Sequence, residues 1–184
     1  MSSSERPTRR AAAVLLGGAL VGLAGCGFQP IYGGSGTSIA AQDVLSRILI
    51  APAGDRAGQQ LRNELMRLLT PGGEPVDALY LMTMQTTIRE HDVFVSASRE
   101  VERMTLVFNT SYRLVDKLAR DAADPGTPDI VIYESSAFAE TSYNRFPSEF
   151  ANIRARIDAE NIAAREVAKI IQTQLAAAVA TGQV

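Results

Sequence analysis

The sequence predicts an α+β fold: a two-layer sandwich with two helices packed on one face of a mixed four-stranded sheet, in the order β-α-β-β-β-α. Three observations predict it. Two segments repeat apolar residues at the 3.6-residue period of a helix. Three central segments alternate at the 2-residue period of a strand. The strands are grouped between the helices, which is the pattern of helices segregated to one side of a largely antiparallel sheet.

The elements follow in chain order. Val44 to Ala51 (VLSRILIA) is β-rich, with Val44, Ser46, Ile48 and Ile50 on one face. Pro52-Ala53-Gly54-Asp55 breaks it and leads into a helix. Between Arg56 and Thr70, Leu61, Leu65, Leu68 and Leu69 fall at i, i+4, i+7 and i+8, a single apolar stripe. Pro71-Gly72-Gly73 ends that helix. Leu79 to His91 sets Tyr80, Met82, Met84, Thr86 and Ile88 on one face. Arg99 to Asp116 sets Met104, Leu106, Phe108, Tyr112 and Leu114 against Arg103, Thr105, Asn109, Ser111 and Arg113. Asp121 to Pro128 reads as a hairpin connection, and Ile130 to Asn144 as the last strand. Strands longer than about 10 residues are long for a small domain, so a sheet that outruns its helical cover, or bulges, are expected.

Pro147-Ser148-Glu149 opens the final helix, with Ser148 as N-cap and Glu149 favourable to the helix dipole. No Pro or Gly interrupts it from Phe150 to about Ala180. Phe150, Ile153, Ile157, Ala164, Val167, Ala168, Ile171 and Leu175 form its stripe, widened by Ile162 and Ile170. The first two strands, joined through a helix, run parallel; the others form an antiparallel meander.

Ahead of this domain, residues 1–25 read as an export signal. Arg6, Arg9 and Arg10 make a basic start, and Ala11 to Leu23 is an uncharged run of 13 residues. That is too short for a bilayer core, which takes about 20 apolar residues, and it suits a signal-peptide core. Leu23-Ala24-Gly25-Cys26 follows as a lipobox, so Cys26 is the expected lipid attachment site and mature N-terminus. Sec export is favoured over the twin-arginine route, since Thr8-Arg9-Arg10 has no fitting continuation. Residues 26–43, including the Gly27 to Ser38 stretch GFQPIYGGSGTS, read as a lipidated flexible tether, and 44–184 as one domain. The signal carries three Arg and one Glu, so 15 of the 18 basic and 19 of the 20 acidic residues remain in the mature chain, a net charge of −4.

Composition excludes several classes of function. One cysteine forbids an internal disulfide framework, and with one histidine it forbids a Cys/His zinc cluster. No Trp, 6% aromatics and an overall charge of −2 leave neither a stacking platform nor a field for nucleic acid. Gly33-Gly34-Ser35-Gly36 lacks the Lys-Ser/Thr of a phosphate loop. His91 beside Glu90 and Asp92 has no nucleophile motif to serve, and reads as a polar cluster at a hairpin end. The chain is expected not to be an enzyme, and no cofactor or metal is expected. Arg89, Arg99, Arg103 and Arg113 sit on the central strands. They serve either solubility and cross-strand pairing with Glu90, Glu100 and Glu102, or contact with a phosphorylated glycolipid, for which guanidinium is well shaped. Arg99 and Arg103, near a hairpin end, are the candidate ligand contacts.

Cys26-Gly27-Phe28-Gln29-Pro30-Ile31-Tyr32-Gly33 resembles the mature N-terminus of the lipopolysaccharide-assembly lipoproteins, the LptE family. Tyr112-Arg113-Leu114-Val115-Asp116 resembles the end of that family's central strand. Ser142-Tyr143-Asn144, Phe150-Ala151 and the helix from Asp158-Ala159-Glu160 to Leu175 resemble its alphaproteobacterial branch. The resemblance implies a non-enzymatic outer-membrane lipoprotein on the periplasmic side. It would plug and help assemble the LptD barrel and take part in lipopolysaccharide transport to the cell surface. Gly27 after the cysteine, rather than Asp, implies release to the outer membrane. The other reading is an auxiliary lipoprotein of another periplasmic transport or barrel-assembly complex without lipopolysaccharide contact.

Acylation gives the first test. Mass spectrometry of the N-terminal peptide from membrane-extracted protein should find Cys26 first in the chain and carrying lipid mass. An unmodified thiol would remove the anchor.

Overall fold

A computed structural model describes residues 36–95 and 102–184. The signal peptide, Cys26 and the first ten residues of the expected tether lie outside the described residues, as do Arg99 and Glu100. In chain order the elements are α1 (Gly36–Ser46), β1 (Ile48–Ile50), α2 (Arg56–Leu69), β2 (Tyr80–Val95), β3 (Glu102–Asp116), α3 (Lys117–Ala122), β4 (Val131–Arg145) and α4 (Glu149–Ala180).

The four strands form one sheet in the order β1-β2-β3-β4. β1 pairs with β2 in parallel, Ile48 opposite Tyr80 and Ile50 opposite Met82. The β2–β3 and β3–β4 pairs are antiparallel and run nearly the full strand lengths. The expected irregularities are present: one register shift between Asp92 and Phe94, another between Leu114 and Val115. The expected alternation holds as well. Leu106, Phe108, Tyr112 and Leu114 of β3 are buried, whereas Asn109, Ser111 and Arg113 are exposed.

The two longest helices, α2 and α4, form one layer on the sheet. α4 lies on β3 and β4, α2 on β1 and β2, and the two helices pack against each other. Small residues make that possible. Ala159, Ala163, Ala164, Val167 and Ala168 of α4 are buried with Ile171 and Leu175 in the same cluster as Leu61 and Leu65 of α2. Alanine holds a helix axis close to its neighbour, and the bulk is supplied from the sheet by Phe108 and Tyr112. Burial pushes the Tyr112 hydroxyl far above its ordinary titration range, with nearby Tyr133 adding to the shift. It therefore stays protonated and donates to Gln174 Oε1 at 2.8 Å, while Gln174 Nε2 donates to the Ser136 carbonyl at 3.1 Å.

Three features differ from the sequence reading. Residues 36–46 form helix α1, where a tether to residue 43 and a strand from Val44 are expected. Ala41 and Leu45, one helical turn apart, are both buried, and α1 packs on α4 and α2. A helical turn that buries two side chains thus prevails over the Val44/Ser46 alternation, and the strand shrinks to Ile48–Ile50. The two helices that pack on the sheet are α2 and α4, as expected, and α1 is an additional helix set against them rather than against the strands. A short helix, Lys117–Ala122, also enters the β3–β4 connection, capped by Asp116 Oδ1 on the Ala119 amide at 2.9 Å.

The third difference concerns the start of α4. Phe150 is 75% exposed and Ile153 49%, and Ile157 is only half-buried, so the first two turns stand clear of the core. Ser148 occupies the N-cap position without a side-chain cap bond. Asn152 does the local work instead: its Oδ1 accepts from the Phe146 amide and its Nδ2 donates to the Phe146 carbonyl, both at 2.8 Å.

Ile171 is fully buried on α4. Ile171→Ala should lower unfolding free energy by about 2–5 kcal/mol. Ile157→Ala should cost clearly less. Chemical denaturation midpoints of the two variants check the ranking.

Candidate functional site

The sheet and its cover do not end together. The helical layer reaches Ile88 on β2 through the N-terminus of α2, while β2 and β3 continue to Val95 and Glu102. At this end α2 and α4 part and leave a cleft of about 390 Å³. Its floor is Ile88. One wall is Asp55, Arg56 and Ala57; the other is Ile153, Arg156, Ile157 and Glu160 of α4.

Local sequence places each wall. Asp55 caps α2, accepting from the Gly58 amide at 3.2 Å. A Cβ on Gly58 would stand 2.7 Å from the Ala53 side chain and 2.8 Å from the Asp55 carboxylate, so only glycine allows the loop to close over the cap. This sharp entry sets Arg56 at the mouth of the cleft. On α4, Ile153, Arg156, Ile157 and Glu160 recur at three- and four-residue spacing and so share one face.

The charged groups form a chain across three elements. Arg56 pairs with Glu160. Glu160 also faces Arg156 at 3.6 Å, and Arg156 donates through Nε to Glu90 of β2. Tyr143 of β4 donates its hydroxyl to the other Glu90 oxygen at 3.3 Å. The chain thus ties α2, α4, β2 and β4 together where apolar packing thins out. The hydrogen bond to Glu90 raises the Arg156 guanidinium above its usual range. Burial, reinforced by the Glu90 charge, raises the Tyr143 hydroxyl. Exposure is unequal: the Arg56 and Arg156 side chains are 55% and 51% exposed, Glu160 only 10%.

The sequence-predicted sites fare differently. Arg103 lies opposite Phe94 and Asn144 at the hairpin end of β3 and is exposed, as expected. It belongs to the face without helices, so it and the cleft stand on opposite sides of the sheet. Arg99 lies outside the described residues. Glu90 does not pair along the sheet: its cation is Arg156 from the helical layer, and its register partner is Leu106. Arg113 donates to Thr83 Oγ1 at 3.2 Å rather than to a carboxylate. His91 is exposed at the same end, consistent with a polar hairpin cluster. Among the described residues no group of three or more His, Cys, Asp or Glu is placed to hold a metal ion. No helix among them is long and apolar enough to cross a membrane.

The face without helices is itself distinctive. Its rows read Thr83–Arg113–Glu134, Gln85–Ser111–Ser136, Thr87–Asn109–Phe138 and Arg89–Val107–Glu140. Hydroxyl and amide side chains dominate, charges of both signs alternate, and among the described residues of these rows Phe138 is the large apolar side chain that is strongly exposed, at 61%.

This architecture recurs in solved structures. A protein assigned as a lipoprotein in Caulobacter crescentus CB15 superposes with a TM-score of 0.63 at 22% identity, covering 79% of this chain and 98% of that one. The rare lipoprotein B of Shewanella oneidensis gives 0.52 at 12% identity, over 74% and 97% of the two chains. A minor lipoprotein of Acinetobacter baumannii gives 0.50 at 15% identity, over 71% and 88%. The chain has the fold of these bacterial lipoproteins. No family model and no curated protein matches the sequence.

The ion chain predicts an asymmetric response to substitution. Arg156→Ala deprives two carboxylates of a partner, one of them nearly buried, and should destabilise the domain by about 1–3 kcal/mol. Arg56→Ala leaves Glu160 with Arg156 and should cost less. Urea denaturation of both variants ranks them, and adding Glu90→Gln and Arg156→Ala/Glu90→Gln closes a cycle that measures the Arg156–Glu90 coupling.

Proposed function

We propose that this chain is a lipopolysaccharide-assembly lipoprotein of the LptE type. In this reading it is held to the outer membrane by acyl chains on Cys26, plugs and helps assemble the LptD barrel, and assists delivery of lipopolysaccharide to the outer leaflet. The observation that carries the reading is a conjunction. A lipobox and the Cys26 to Gly33 motif stand at the head of a chain whose remainder has the fold of small bacterial lipoproteins.

The surface supports it. A plug must sit in a wet lumen against a wall of alternating polar side chains. The helix-free face offers Thr, Ser, Asn and Gln on three adjacent strands with mixed charge, so it can hydrogen-bond widely without burying an unpaired ion. The long sheet suits insertion along a barrel axis: 15 residues of β3 span roughly 50 Å at about 3.3 Å per residue. Anchorage needs no helix through the bilayer, because two or more acyl chains at about 0.8 kcal/mol per buried CH₂ suffice. In this reading Arg99 and Arg103 are the candidate contacts for phosphate groups.

Two measurements test this. Purification from outer membranes should recover a large barrel protein with this chain, and depletion should reduce both the assembled barrel and surface lipopolysaccharide. Unchanged barrel and lipopolysaccharide would overturn the reading. Arg99→Ala/Arg103→Ala should weaken lipopolysaccharide binding in a salt-dependent manner, since exposed charges are screened within about 8–10 Å. Folding stability should change by about 1 kcal/mol or less. Equal binding by wild type and double variant would remove these two residues from the site.

A further inference from the structure

β4 is an edge strand. Among the described residues its one strand neighbour is β3, so its outer row of N–H and C=O groups meets no ladder over Val131–Arg145. A long bare edge invites another strand, and sheets commonly blunt it with lysine, proline, bulges or brevity. The other side of this sheet follows that rule. β1 has three residues, and β2 beyond it carries Arg89, Glu90, His91 and Asp92 and a register shift. β4 does not follow it. It holds no Lys, Pro or Gly, and its register with β3 slips only at its first residues, opposite Leu114 and Val115. Gln174 Nε2 donates to the Ser136 carbonyl, but a carbonyl accepts two bonds, so this contact does not close the edge.

The sequence of the edge says what fits it. Tyr133 to Tyr143 reads YESSAFAETSY, close to a palindrome about Phe138. A strand laid antiparallel on its own copy about a two-fold axis pairs residue i with j and j with i. With the axis at Phe138, Ala137 meets Ala139, Ser135 meets Thr141 and Tyr133 meets Tyr143. On the helix-free face Glu134 meets Ser142, Ser136 meets Glu140, and the two Phe138 rings meet each other. Each carboxylate thus faces a hydroxyl donor, and no like charges stand opposite. Phe138, 61% exposed in the single chain, gains an aromatic partner. Neighbouring registers lose this fit. An axis at Ala137 sets Glu134 against Glu140, and one at Ala139 sets Phe138 against Glu140.

We infer that β4 is a contact between two copies of this chain, paired antiparallel about Phe138 so that two four-stranded sheets join into one. The pairing needs no barrel partner and stands apart from the proposed function.

Disulfide trapping in the full-length, membrane-extracted chain tests it, with wild type, whose one cysteine is Cys26, as background. A disulfide needs Cα atoms within about 7 Å. Phe138→Cys lies on the axis and should trap a dimer by itself. Glu134→Cys should not, because the two copies of that position stand about 26 Å apart along the strands at about 3.3 Å per residue. Adding Ser142→Cys to Glu134→Cys should restore trapping. Asn109→Cys, exposed on β3 beside Phe138, controls for random collision and should stay monomeric. Light scattering in detergent should find wild type dimeric and Phe138→Lys monomeric. Phe138 is exposed, so Phe138→Lys should keep the wild-type thermal melt, which separates loss of pairing from loss of fold. Trapping at Phe138 no greater than at Asn109 would overturn the pairing, as would a monomeric wild type or a dimer that survives Phe138→Lys. Trapping by Glu134→Cys alone as strong as at Phe138, or no gain from Ser142→Cys, would overturn the register and with it the palindromic fit.

Discussion

The contact of α4 with the sheet governs the whole domain. α4 spans 32 residues, and its buried face is mostly alanine with Val167, Ile171 and Leu175. Small side chains permit close approach, and close approach demands bulk from the other side, which Leu106, Phe108, Tyr112 and Leu114 provide. The same seam orders the other helices. α2 completes the layer by setting Leu61, Leu65 and Leu69 beside α4, and α1 closes one end with Ala41 and Leu45. Gln174 turns the seam into a polar lock, joining a buried tyrosine hydroxyl to the backbone of β4.

The gradient of packing along that seam leaves one end of the domain open. The second half of α4 contributes fully buried side chains; its first two turns contribute exposed ones. Where apolar contact fades, the Arg56–Glu160–Arg156–Glu90–Tyr143 chain takes over the joining of helices to sheet. A mixed polar and apolar surface is thus left open on an otherwise rigid frame.

The two faces of the sheet divide the labour. One is covered and supplies the core. The other is a broad polar surface of hydroxyls, amides and balanced charges. Such a face is costly to bury against an apolar partner and comfortable against a hydrated, hydrogen-bonding wall.

Sequence alone determined the class of fold, the parallel first pair and antiparallel meander, the inward and outward sides of β2 and β3, and the stripe of α2. These follow from periods of 2.0 and 3.6 residues, which are local properties. It also located Arg103 at a hairpin end. Tertiary structure decided three things that local periodicity cannot. Residues 36–46 became a helix because Ala41 and Leu45 found a groove against α4 and α2, and weak local preference yields to such burial. The apolar stripe of α4 divided into a buried half and an exposed half because the N-terminus of α2, fixed by the Asp55 cap, reaches no further along the sheet than Ile88. Glu90 took its cation from Arg156, 66 residues away, rather than from a neighbour on the sheet. In each case the deciding partner is remote in sequence, and only the packed chain brings it within reach.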